Sequence, residues 1–224
     1  MFDRSRYRWL SFDCYGTLVD WEGGIHGAFV DALAPLGLTP AREEVIAAHA
    51  IEEPIVQAER FRSYREVLTE TARRIRERHG WPMPPGGDGF LAQSLPDWPV
   101  FDDTVPALHR LVAAGHRLAI LSNVDDDLIG GTLRHLEVPF EAVITAEQVG
   151  AYKPAAPHFI EARKRFANDG WLHVAQSWFH DIVPAARERV PAAWINRKDE
   201  GAGEQGEPLA VFPSLGAFSE SSAR

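Results

Sequence analysis

Trp9-Leu10-Ser11-Phe12-Asp13-Cys14-Tyr15-Gly16-Thr17 reads as a short apolar strand that ends on a carboxylate and turns at once. Gly16 permits a tight turn and Thr17 offers a hydroxyl beside it, so Asp13 stands as a nucleophile at the carboxyl edge of a sheet. Tyr15 is as telling as Asp13. A phosphatase with an aspartate nucleophile wants a second acid two residues on, to protonate an alkoxide leaving group, whereas a departing halide needs no such acid.

Further along, apolar runs bounded by turn residues recur at 117–121, 142–144, 171–175 and 192–195. Each follows a segment of helical periodicity, about 103–114, 124–136, 155–168 and 180–189, which is the pattern of a parallel sheet with helical crossovers. Leu209-Ala210-Val211-Phe212 adds an edge strand, 198–207 reads as a charged, glycine-rich surface loop, and the carboxyl end is expected to fray. Between the first two strands lies an insertion of about eighty residues, too long for an ordinary crossover. Apolar residues at three- and four-residue spacing near 23–36, 41–60 and 63–79 make this insertion a helical cap, with Pro54 expected to kink its second helix. The expected division is a core of 1–20 and 98–224 and a cap of 21–97.

A length of 224 residues suits one α/β domain with a sizeable insertion. The formal net charge of −9, with arginines scattered through helical segments, argues against nucleic acid as a partner. No apolar run reaches signal-peptide or bilayer length, so a cytoplasmic protein with a small-molecule substrate and no membrane partner is expected. Cys14 is the only cysteine, which rules out an internal disulfide and reads as a buried apolar filler. Asp125-Asp126-Asp127 lacks the spacing of a calcium loop and reads as negative charge at a helix amino terminus. An apolar cap helix is compatible with a homodimer.

Four pieces fall where successive strands should end: Asp13 with Thr17, Ser122-Asn123, Lys153-Pro154, and Gln176-Ser177 followed by Asp181. In an open α/β sheet those ends line one crevice, so residues distant in sequence converge there. Lys153 beside Asp13 would hold the carboxylate ionised and able to attack carbon. Ser122 and backbone amides near Tyr15 and Asn123 would supply donors for a substrate carboxylate, and Asp181 would orient or deprotonate the water that hydrolyses an ester. Neither step requires a metal or other cofactor.

Phe12-Asp13-Cys14-Tyr15-Gly16-Thr17-Leu18 resembles the first motif of the haloacid dehalogenase superfamily, and the tyrosine resembles its L-2-haloacid dehalogenase branch. The resemblance runs from the first strand to Trp194-Ile195-Asn196-Arg197. It implies a Rossmann-like core, a helical cap, a covalent aspartyl ester and cleavage of the carbon–halogen bond of short 2-haloacids. By the same resemblance Asp13 is the nucleophile, Lys153 the family's lysine and Asp181 the late aspartate. Thr17 and Ser122 are then orienting hydroxyls, Asn123 the amide near the halide, and Tyr15 and Ser177 substrate neighbours. Where magnesium-dependent relatives carry Gly-Asp, this chain has Ala175-Gln176, and a neutral amide is a poor ligand for a hard cation. An arginine implied early in the cap has no match around Ala47–Glu53, and Arg42, Arg60 and Arg62 are candidates by charge alone. The competing functions are a magnesium-dependent phosphatase of a small metabolite and a non-catalytic binding protein that kept the fold.

Overall fold

Six parallel strands form one sheet in the order β3-β2-β1-β4-β5-β6. They are β1 Trp9–Phe12, β2 Arg117–Ser122, β3 Ala142–Thr145, β4 Trp171–Ala175, β5 Ala192–Ile195 and β6 Ala210–Phe212. The computed structural model describes residues 3–166 and 169–221. The final two residues of the helix expected over 155–168, and the tail beyond 221 expected to fray, lie outside them.

β1 lies inside the sheet, paired with β2 on one side and β4 on the other. All four of its residues are buried, which is why it reads as a nearly unbroken apolar run. Leu10 and Phe12 have no exposed surface, and burying such a side chain contributes about 1.5–3 kcal/mol. Trp9, Leu121, Ile144, Phe159, Phe166, Trp171, Ile182 and Trp194 pack together in one core cluster. The chain runs to β2 on one side of β1 and to β4 on the other, so the order of strands reverses beside Asp13. A crevice at the carboxyl ends is the expected ligand position at such a reversal.

Two crossovers differ from their sequence reading. The helix expected over 124–136 is Asp126–Thr132 followed by a 3-10 turn, Leu133–His135; Gly130-Gly131 makes its last turn a poor helix. The helix expected over 180–189 begins earlier, as a π-helical turn at Trp178–Ile182 that continues into Val183–Arg187. Ser177 starts it, its hydroxyl accepting from His180 N–H.

By packing, the chain divides into two compact units. One holds the sheet and its crossovers: the chain up to Val19, Val100–Asn123, and His135 onward. The other, Asp20–Pro99 with Val124–Arg134, is helical, built on Trp21–Leu33, Arg42–Glu59, Tyr64–His79 and Phe90–Ser94. Pro54 lies inside Arg42–Glu59, which runs on as one element. Gly24 sits beneath the Trp98 indole, where a Cβ would come within 2.2 Å of the ring. Tyr64–His79 opens on a capping box formed by Ser63 and Glu66. Its first turn is capped a second time, because the Asp125 carboxylate accepts from Tyr64 N–H (2.7 Å) and Arg65 N–H (2.8 Å). Asp125 therefore caps a different helix from the one it precedes, while Asp126 and Asp127 put the expected negative charge in the first turn of their own. The Asp125 contact is one reason residues 124–134 pack with the helical unit. Among the described residues no helix is long and apolar enough to cross a membrane.

Candidate active site

β1 delivers Asp13 to the sheet edge, its N–H bonded to Val174 O at 3.2 Å. Leu18 and Val19 then donate to Cys14 O, and Gly16 donates to Val19 O, closing a turn in which Gly16 takes a φ of 101°. An L side chain rarely adopts that conformation, so glycine is required. The turn brings Thr17 back over Asp13. Thr17 Oγ1 donates to Asp13 Oδ2 (2.9 Å) and accepts from Gln176 N–H (2.9 Å). Arg197, stacked 4.0 Å from the Phe101 ring, donates to Thr17 O and pins the turn from behind.

Lys153 reaches the same carboxylate from the loop after β3. The Asn123 side chain holds that loop at both ends of one residue, donating to Lys153 O (3.0 Å) and accepting from Lys153 N–H (2.7 Å). The Lys153 side chain is 1% exposed. Its Nζ donates to Asp13 Oδ1 (2.9 Å), Asp181 Oδ1 (2.6 Å) and Leu121 O (2.8 Å), which uses all three hydrogens of the ammonium. Asp181, on the π-helical turn, is fully buried. Its Oδ1 also faces His173 Nε2 at 2.9 Å, while Oδ2 is buried with no hydrogen-bond partner among the described residues.

Burial pushes the Asp13 carboxyl above its ordinary value; Lys153 opposes the rise and the nearby Asp181 charge adds to it. Lys153 thus restrains the rise without cancelling it, because burial is the larger effect and the Asp181 charge adds to it. Asp181 shifts the other way. Against the cost of burial, the Lys153 charge and the His173 hydrogen bond hold it well below the usual carboxylate range. Lys153 is itself held above its ordinary value, the two carboxylates outweighing the cost of its burial.

Asp13, Thr17, Lys153 and Asp181 accordingly form one hydrogen-bonded cluster. Ser122 is buried at the end of β2, its Oγ without a hydrogen-bond partner among the described residues and its carbonyl 3.1 Å from His158 Nε2. Burial, with the Lys153 charge, lowers the His158 imidazole to about 3, so at neutral pH its single N–H serves Ser122 O. Ser177 caps the π-helical turn and lies 3.1 Å from His180 Nδ1. Tyr15 is half-buried in the turn after β1, bridged to Val19. In the helical unit, Arg42 pairs with Glu22 and Arg62 with Glu59. The sequence reading gave no role to His173 and Ser11, whose signal is a polar residue inside an otherwise apolar strand.

A sequence profile of the haloacid dehalogenase-like hydrolases matches residues 7–172. The chain belongs to that family. This haloacid dehalogenase-like hydrolase is 31% identical over 124 residues to an (S)-2-haloacid dehalogenase from Pseudomonas putida. That stretch is 53% of this chain and 54% of the relative, so the match spans about half the relative's length. Among solved structures it resembles a dehalogenase with an intermediate complex, at TM-score 0.85, 18% identity and 100% of each chain. It also resembles the L-2-haloacid dehalogenase from Xanthobacter autotrophicus with chloropropionic acid covalently bound, at TM-score 0.75, 19% identity, 95% of this chain and 97% of that one. Those two likenesses establish the fold.

Proposed function

We propose that this hydrolase displaces halide from short 2-haloacids through an ester on Asp13, with the helical unit as its cap domain. One observation carries the reading: Asp13 is held by Lys153 and Thr17, and two residues on the chain offers Tyr15 in place of an acid. The covalently bound chloropropionic acid of the Xanthobacter enzyme and the activity in the name of the Pseudomonas relative support the same chemistry.

In the first step an Asp13 carboxylate oxygen attacks the carbon bearing the halogen; the carbon–oxygen bond forms as the carbon–halogen bond breaks, and halide leaves with the bonding pair. In the second, Asp181 Oδ2 takes a proton from water as the oxygen attacks Asp13 Cγ. Collapse of the tetrahedral adduct breaks the ester bond, and the departing alkoxide recovers the proton from Asp181 as the 2-hydroxy acid. Asp13 then loses its own proton to solvent. Ser122 Oγ, buried and without a hydrogen-bond partner among the described residues, is assigned to the substrate carboxylate. Tyr15, Asn123 and Ser177 are assigned to the edge of the same site, Asn123 also fixing the Lys153 loop. Magnesium is not part of this reading. Asp13 and Asp181 each give Oδ1 to the Lys153 ammonium, and the neutral Gln176 amide stands where a third anionic ligand would come.

Single turnover of 2-chloropropionate in 18O-labelled water, followed by mass spectrometry, tests the route. Label in Asp13 and halide release unaffected by a chelator are expected. Label confined to the product, or chelator-sensitive hydrolysis of a phosphate ester with no halide release, would overturn it.

A further inference from the structure

Behind Asp181 runs a buried line of polar atoms. β1 and β4 are neighbours, and their register sets Ser11 opposite His173 and Trp9 opposite Trp171. Trp171 Nε1 donates to Ser11 Oγ at 2.7 Å. Ser11 Oγ lies 2.8 Å from His173 Nδ1, and His173 Nε2 lies 2.9 Å from Asp181 Oδ1. Ser11 and His173 have no exposed surface, and the imidazole meets the Phe159 ring edge-on at 5.2 Å. Packing alone would be served as well by apolar residues, as it is at the other positions of both strands.

The line has a direction. An indole N–H only donates, so it takes a lone pair of Ser11 Oγ. The single hydrogen of the serine then has His173 Nδ1 as its acceptor. A ring nitrogen that accepts carries no proton, which places the ring's hydrogen on Nε2, aimed at Asp181 Oδ1. Protonated on both nitrogens, the ring would turn an N–H toward Ser11 Oγ. The serine hydrogen would then have no acceptor among the hydrogen bonds of the described residues, at the cost of a buried unsatisfied donor.

We infer that Trp171, Ser11 and His173 form a one-way hydrogen-bond line that fixes His173 as the Nε2–H tautomer and makes it the positioning residue of Asp181. Two donors, Lys153 Nζ and His173 Nε2, then converge on Asp181 Oδ1, so the carboxylate cannot rotate without losing both. Oδ2 is thereby kept as the open acceptor. On the function proposed above, Oδ2 serves ester hydrolysis, so His173 acts on the second step. Attack by Asp13 depends instead on contacts from Lys153 and Thr17.

Protein labelled with 15N-histidine, examined without substrate at neutral pH by long-range proton–nitrogen correlation, tests the line directly. His173 is expected as a neutral ring protonated on Nε2, with Nδ1 in a hydrogen bond that Ser11→Ala removes. A ring protonated on Nδ1, or on both nitrogens, overturns the inference whatever the substrate is. Rapid quench with 2-chloropropionate tests the role. Folded Ser11→Ala and His173→Leu should keep a stoichiometric halide burst at the native rate and lose on the order of tenfold in steady-state turnover, the factor one hydrogen bond to a charged group carries. His173→Gln, able to donate to Asp181 and accept from Ser11, should recover part of the loss. Equal loss in burst and steady state, or none in either, overturns the positioning role. If the native protein releases no halide, the proposed function fails, and the tautomer alone then decides the inference.

Discussion

The two units of this protein handle charge in opposite ways. In the sheet unit two carboxylates are buried within hydrogen-bond distance of one ammonium that they share. The helical unit carries more ion pairs, mostly at its surface: Arg73 with Glu70 and Glu77, and Arg74 with Glu70 and Glu59. The Arg73 hydrogen bond, with Arg74 beside it, draws Glu70 down to about 2 against the cost of its burial. Burial, and not the number of contacts, decides how much a pair is worth, because water screens an exposed charge and leaves a buried one to its neighbours.

The sharpest way to break that contrast is at Asp13. Asp13→Asn should cost at least about 10⁴-fold in kcat, as loss of a nucleophile that works as a unit with its neighbours does, with little change in the fold. Turnover within tenfold of native would remove Asp13 from the chemistry. Lys153→Met comes next. It leaves two buried carboxylates without their cation, and breaking such an arrangement costs about 3–5 kcal/mol of stability by chemical denaturation.

The same substitution carries a pH signature. Folding raises the Asp13 carboxyl, so its contribution to stability is complete below the ordinary carboxylate value and is lost as pH climbs through the raised one. Asp181 has the opposite sign: lowered in the fold, it stabilises above the ordinary value and loses that contribution as pH falls. On the proposed function the Asp13 direction is the one that counts for turnover, since only the carboxylate would attack. The acid limb of kcat/KM should lie above the ordinary aspartate value of about 3.9, and Lys153→Met should move it higher still. An acid limb at or below that value would contradict the balance of burial over Lys153.

The strands were legible because a strand buried on both faces has to be apolar throughout, and Trp9–Phe12 and Trp171–Ala175 are nearly so. Asp13 stood out because it follows directly on an apolar strand, and Lys153 and Asp181 because they lie just beyond the ends of β3 and β4, where the order of the strands gathers them at one edge. Ser11 and His173 interrupt the apolar pattern inside the strands, and each looks tolerable by itself. Their meaning arises only when β1 and β4 are set side by side in register, which no local window of sequence contains. The second role of Asp125 was hidden for a related reason. A carboxylate before a helix is ordinarily credited to that helix, and its true partners lie sixty residues away in the chain.

Asp125 also separates the two regimes within the helical unit, since it is a buried charge bound to backbone donors. Asp125→Ala should cost about 1 kcal/mol, the usual worth of a helix cap, which for a chain of this size lowers Tm by about 2–4 °C. Ser63 and Glu66 still cap the same turn, so a larger loss would mean that Asp125 does more than satisfy two N–H groups. Arg73→Ala gives the smallest effect. The Arg73 side chain is 40% exposed and pairs along its own helix, so the change should stay within about 0.5 kcal/mol and shrink further in high salt. A salt-independent loss above about 1 kcal/mol at Arg73 would show that the surface pairs act as one network, and the contrast between the units would then be one of degree.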